Sequence, residues 1–233
     1  MALTFPPMMQ GQPVDEDAFT EAQRQATLGC DAGLITYGTR ADVIEAALIL
    51  SPEVPLSKAM AMLPLCAVGF QNALGALAPP EVSVHLEWDG KLRVNGASCG
   101  AFDVAASTDD PNAEPDWIVV GFRVPFLPES DEMGHTPDRT ALAAEGCADV
   151  APDQLIESWA RHTLHWINRW ETDGPRGVHT EWRGLSHGIG EDVTQSGLKG
   201  TFMGIDEDFG MLLKDENGQT HLLPLTTLLK GQA

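Results

Sequence analysis

Basic residues are scarce in this sequence: 14 lysines and arginines stand against 34 aspartates and glutamates in 233 residues, a formal charge of −20. A phosphate backbone would meet a repulsive field before any local contact formed, which excludes a nucleic-acid partner. Cysteine is sparse too. Cys30, Cys66, Cys99 and Cys147 lie far apart without a C-x-x-C pair, so they read as reduced thiols rather than a disulfide frame or a zinc site. No uninterrupted apolar stretch reaches the roughly 18 residues of a bilayer span, and residues 1–12 have neither the basic flank nor the apolar run of a secretory signal. The expectation is a cytoplasmic protein with no membrane partner. G-x-S-x-G, Walker A and G-x-G-x-x-G are all missing, which removes the commonest handles for hydrolase, NTPase and dinucleotide chemistry. His162 and His165 sit one helical turn apart, but with no H-E-x-x-H and no third ligand the metal expectation is none. Asp206, Glu207 and Asp208 before Gly210 match a calcium loop poorly and read as a solvated hairpin tip.

What is present suffices for a folded core, since 43% of residues are hydrophobic and 21% charged. The first ten residues, with two prolines and three methionines, suggest an extended arm. A helix is expected over 15–28, with Asp15 as N-cap and Gly29 beyond its end. Strands follow over 33–39 and 43–50, although 45–47 is equally compatible with helix. The apolar residues Leu56, Met60, Leu63, Ala67, Phe70, Leu74 and Leu77 recur at steps of four and three, which marks one buried helical stripe kinked at Pro64. Strand patterns cover 82–88, 91–94, 97–106 and 117–126. Asn95-Gly96 signals a two-residue type I′ turn, and counting outward pairs Val94 with Ala97, Arg93 with Ser98, Leu92 with Cys99 and Lys91 with Gly100. One face of this hairpin is then apolar and the other cationic. Residues 127–138 read as a surface loop, 153–170 as a helix whose tryptophans pack into the core, and 178–186 as a short helix. Four short strands close the chain, around 192–194, 198–205, 210–214 and 219–223.

One segment carries more than generic pattern: Glu87-Trp88-Asp89-Gly90-Lys91-Leu92-Arg93-Val94-Asn95-Gly96-Ala97-Ser98-Cys99-Gly100. It resembles, without a gap, the K-W-P-N-D-L-x-V-N-G-R-K-x-G stretch of biotin protein ligases and their lipoate-ligase relatives. Residues 118–126 look like the family's V-G-I-G-I-N-V strand, and 188–213 like its small C-terminal SH3-like barrel. The resemblance implies an α+β, class II synthetase-like biotin/lipoate ligase fold, with a mixed or antiparallel sheet covered by helices. It divides the chain into a catalytic-type domain over 1–187 and a barrel over 188–233.

Ligases of this kind attack the α-phosphate of ATP with a biotin or lipoate carboxylate and pass the acyl group to a carrier lysine. Both steps accumulate anionic charge, so they depend on preorganised cations and N–H donors. The family supplies these from a G-R-G-R-x-G-R loop after the first strand and from the hairpin lysine. Here the loop region offers only Gly38-Thr39-Arg40, the lysine position is Ser98, and the G-I-N asparagine aligns with Arg123. The W-P-N-D element keeps Trp88 but has Asp89-Gly90-Lys91 after it. Arg93, facing Ser98 on the same side, is the candidate compensating cation, which leaves Arg93 and Ser98 as the candidate catalytic pair. Ligand-binding candidates implied by the resemblance are Arg40, Trp88, Lys91, Asn95, Gly96, Gly100 and Arg123. The leading expectation is a ligase homologue that keeps a small carboxylate pocket, for biotin or lipoate, and has lost or severely reduced ligation. The alternatives are an active ligase or acyltransferase with rearranged residues, using ATP and biotin or lipoate, and a non-catalytic protein-interaction module. A carrier protein is left open as partner, and an exposed sheet edge leaves room for a homodimer.

Overall fold

A computed structural model describes residues 3–128 and 138–231; most of the expected 127–138 loop therefore lies outside the described residues. Among the described residues the main sheet has seven strands. Strand β1 (Gln10–Pro13) pairs in parallel with β2 (Leu34–Thr39), and β3 (Val43–Leu50), β4 (Val84–Leu86), β5 (Lys91–Val94), β6 (Ala97–Ala106) and β7 (Ile118–Pro125) complete the order β1-β2-β3-β7-β6-β5-β4. Strand β1 begins at the last residue of the expected arm, Gln10, and was not itself expected. Its sequence, Gln-Gly-Gln-Pro, has no apolar alternation, and it lies at the sheet edge, where a strand tolerates proline.

Helix α1 (Ala18–Thr27) covers one face of β2, β3 and β7, where Ala22, Ala26, Leu34, Ala47, Ile49 and Val119 form a small second core. Its N-cap is Asp17, not Asp15: the Asp17 carboxylate accepts from the Thr20 N–H at 2.8 Å. The opposite face of the sheet carries the main core, under α3 (Met62–Leu77) and α4 (Pro152–Asp173). Phe70, Phe102, Phe122 and Trp159 pack at steep angles to one another there, with adjacent centroids 5.0–6.0 Å apart. Trp159 and Trp166 are buried, as their spacing on α4 predicts.

The expected single helix from Leu56 is broken rather than kinked. A short α2 (Leu56–Ala59) ends at Met60, and α3 restarts at Met62, so that Pro64 occupies the first turn of a new helix. Its missing N–H would have been unpaired in that turn anyway, which makes a break less costly than a proline-interrupted helix. Averaged over 18 residues, the 56–77 run has the hydropathy of a membrane-crossing segment, 1.5, but 72% of that window is buried in the protein.

After α5 (Arg176–Leu185), strands β8 (Asp192–Gln195), β9 (Leu198–Ile205), β10 (Met211–Lys214) and β11 (Thr220–Leu223) form a four-stranded antiparallel sheet. The 206–209 link between β9 and β10 corrects another expectation. Glu207 is exposed as expected, but the tip is tied down at its next residue: Phe209 is 1% exposed, in a left-handed backbone conformation (φ 63°), and its carbonyl accepts from the Trp88 indole N–H at 2.8 Å. Around it, His179 Nε2 meets the Asp206 carbonyl at 2.9 Å and Lys58 pairs with Asp208 at 2.6 Å. The second sheet is thus docked onto α2, α5 and the β4–β5 turn through this loop.

Candidate functional site

The β5–β6 hairpin forms as counted as far as Arg93. Asn95 (φ 49°) and Gly96 (φ 90°) make the type I′ turn, Val94 faces Ala97, and Arg93 faces Ser98. Leu92, Val94 and Cys99 are buried while Lys91 and Arg93 lie on the other face. Beyond Arg93 the count slips by one, because a bulge pairs Lys91 with Ala101 instead of Gly100. Gly100 takes φ 91° there, and a Cβ on it would lie 2.3 Å from the Arg123 carbonyl oxygen. Both the conformation and the close approach require glycine.

The slip aligns charge across the sheet. Glu45 on β3 pairs with Arg123 on β7, Arg123 with Ala101 on β6, and Ala101 with Lys91 on β5. This row lies on the α1 face. Glu45 is 2% exposed and is the carboxylate that sequence reasoning missed. A lone glutamate within the apolar run Val-Ile-Glu-Ala-Ala-Leu-Ile-Leu was the available signal, since a buried carboxylate demands partners. It has two cationic partners: Arg40 Nη1 and Nη2 donate to its two oxygens at 3.2 and 3.3 Å, and Arg123 Nη1 donates at 3.0 Å; the Ala18 backbone N–H donates as well, at 3.4 Å. Arg123 also reaches the Asp17 carboxylate at 3.4 Å.

The hairpin cations are held in the same way. Arg93 Nε donates to Glu87 at 2.5 Å and its Nη1 to the Gly96 carbonyl at 2.7 Å; Lys91 pairs with Asp89 at 2.5 Å and lies 3.9 Å from Glu87. The Asp89 hydrogen bond, ahead of the opposing effect of burial, raises the Lys91 ammonium above its usual range. Arg40, Arg123, Lys91 and Arg93 thus share the face with Asp17, Glu45, Glu87 and Asp89, charge for charge.

Asn95 and Ser98 fasten a neighbouring segment. The Asn95 amide donates to Glu145 at 2.8 Å, Thr140 Oγ1 donates to the other Glu145 oxygen at 2.6 Å, and the backbone of Ser98 bonds to residues on either side of Arg139. Trp88 is brought to a different place from the three arginines, although Lys91 borders the same small cavity. Its indole is buried against Phe209, and the cavity it shares with Leu63, Pro64 and Trp182 measures about 10 Å³, which leaves no ligand-sized space beside it. A larger cavity, about 290 Å³, opens at the β2–β3 turn between Arg40, Ala41, Phe126, Ala151, Pro152 and Asp153. That turn consists of residues 40–42 alone. Among the described residues no cluster of histidine, cysteine, aspartate and glutamate has the arrangement of a metal site.

A helix-flanked seven-stranded sheet, a docked four-stranded sheet and a tryptophan-led hairpin together define a ligase-type fold. The biotin/lipoate A/B protein ligase family matches residues 5–184, and the chain belongs to it. Residues 189–231 match a domain of unknown function. Over 99% of its length the chain superimposes, with TM-score 0.94 and 62% identity, on all of a biotin protein ligase-like protein of unknown function from Silicibacter sp. TM1040. Biotin protein ligase from Aquifex aeolicus is 13% identical with TM-score 0.74, 98% of this chain covering 97% of that one; the same enzyme in complex with biotin and ATP is 15% identical with TM-score 0.69, covering 96% and 97%. At those identities the likeness is one of fold. Among curated proteins, the bifunctional ligase/repressor BirA of Bacillus spizizenii is 22% identical over 180 residues, 73% of this chain. The chain spans about half the length of that relative, 53%.

Proposed function

We propose that this protein has lost ATP-dependent ligation and retains a site for a small carboxylic acid in the cavity at the β2–β3 turn. The observation that carries the reading is the pairing of Arg40, Arg123, Lys91 and Arg93 on the ligase-like face with carboxylates of that same face. A triphosphate would meet no surplus positive charge from these residues, and the three-residue turn offers no loop to wrap it. Losing one transition-state donor costs about 10²- to 10³-fold in rate, and this face differs from the family pattern at several.

A single carboxylate makes a smaller demand. Glu45 has two guanidinium partners, so Arg40 can turn to a ligand while Arg123, at 3.0 Å, keeps the buried Glu45 paired. Phe126, Ala41 and Pro152 supply an apolar wall for the rest of such a molecule. Calorimetry against biotin, lipoate and unbranched acids from butanoate to octanoate tests this. The expected result is binding of at least one acid, its loss in Arg40→Ala, and no heat from Mg–ATP. Silence from every acid at millimolar concentration would refute the pocket and favour a role in protein contact.

A further inference from the structure

Among the described residues, the cavity at the β2–β3 turn has two charged wall residues, of opposite sign and on different elements. Arg40 comes from the turn itself and Asp153 from the first turn of α4. The other described wall residues, Ala41, Phe126, Ala151 and Pro152, present apolar groups. The charge of Asp153 also makes itself felt nearby: after burial, it is the second cause that holds the Tyr37 phenol above its ordinary value. A purely anionic ligand gains less from these surroundings than one that also carries a cation. It would gain Arg40 but be repelled by Asp153, and it would approach a molecule of formal charge −20. A ligand with no net charge avoids the long-range repulsion and still pairs with Arg40 at short range.

We infer that the natural ligand is a zwitterion with separated charges: a carboxylate on Arg40, an ammonium or similar cationic nitrogen on Asp153, and a short apolar spacer along Phe126 and Pro152. This rests on the preceding assignment of a carboxylate to Arg40. The spacer matters because the cavity of about 290 Å³ also has the apolar wall of Ala41, Phe126 and Pro152, which a methylene chain between two charges would cover and the adjacent pair of an ordinary α-amino acid would leave unused. Such a ligand also explains why a cavity in so acidic a protein keeps a carboxylate at its wall: Asp153 selects against simple fatty acids and for their amino-terminated counterparts.

The probes are ω-amino acids from aminobutanoate to aminooctanoate and the unsubstituted acids of the same chain lengths, titrated by calorimetry into the parent, Asp153→Asn and Arg40→Ala. The best ω-amino acid is expected to bind the parent about tenfold or more tighter than its unsubstituted partner. Asp153→Asn should bring the two together, by weakening the amino acid and leaving or strengthening the plain acid. Arg40→Ala should abolish both. Equal affinities in the parent, or an Asp153→Asn variant that keeps the preference, would overturn the zwitterion while leaving the carboxylate site standing. If no acid of either series binds the parent, the carboxylate site itself fails, and the zwitterion with it. Thermal melts of both variants separate loss of binding from loss of fold.

Discussion

Trp88 is the residue of the ligase-like motif whose placement most changes its meaning, and Trp88→Phe tests that placement. The indole is 4% exposed and its N–H is donated to the Phe209 carbonyl at 2.8 Å. Phenylalanine keeps an aromatic ring there but has no donor, so a buried carbonyl loses its partner at about 1–3 kcal/mol. The missing part of the bicyclic ring adds a cavity term of about 24 cal/mol per Å³, in a contact whose existing void is only about 10 Å³. Together the loss is about 2–4 kcal/mol, which for a chain of this size lowers Tm by roughly 5–15 °C. The control is Lys58→Ala across the same docking contact. Lys58 and Asp208 are 53% and 39% exposed, so their 2.6 Å pair contributes at most about 1 kcal/mol. Scanning calorimetry on both variants decides which contact holds the second sheet. A Trp88→Phe variant melting within about a degree of the parent, where a loss of several degrees is expected, would refute the claim that the indole anchors this loop.

Three other perturbations probe the same geometry. Gly100→Ala should be among the most destabilising single changes, about 3 kcal/mol or more, because it combines a left-handed backbone with a Cβ 2.3 Å from the Arg123 carbonyl; urea unfolding measures it. The Glu21 carboxyl is held at about 2, below its ordinary 4.5, chiefly by its hydrogen bond from Arg24 and then by that from Gln25. A lowered carboxyl stabilises the fold above its unfolded value and loses that contribution as pH falls towards 2, so Glu21→Gln should lower Tm slightly at pH 7 and not at pH 2. Burial raises the Cys66 thiol far above its usual range and pushes Cys99 up to about 12; native alkylation at about pH 8, close to an ordinary thiol's own range, followed by mass spectrometry should therefore label the half-buried Cys30 well before either.

Local chemistry made the hairpin legible in advance. Asn-Gly dictates its turn, and the turn dictates the pairing of Arg93 with Ser98. The slip one residue later was not legible, because Gly100 reads as an ordinary strand residue until the Arg123 carbonyl of β7 is placed against it. Phe209 shows the same limit more strongly. Asp-Glu-Asp-Phe-Gly has the composition of an exposed turn, and it becomes a docking contact through residues distant in sequence, the Trp88 indole 121 positions from Phe209 together with Lys58 and His179. At the site, the sequence pointed to Arg40, Arg93 and Arg123 as cations but not to their neutralisation. Glu45 lies five positions from Arg40 and 78 from Arg123, so their convergence exists only once β2, β3 and β7 are aligned.

Exchange of labelled pyrophosphate into ATP decides whether the paired cations leave this family member unable to activate a carboxylate. The purified protein is assayed with magnesium and with biotin, lipoate or octanoate, beside the Aquifex aeolicus biotin protein ligase as positive control. No acid-dependent exchange above background is predicted, because Lys91, Arg93 and Arg123 are engaged by carboxylates of the protein and Arg40, when it turns from Glu45, is taken up by the carboxylate of the acid, so none of the four is left to stabilise the developing phosphate charge. Acid-dependent exchange at ordinary enzyme turnover, on the order of 1 s⁻¹ or faster, would contradict this and identify a working ligase with a rearranged site.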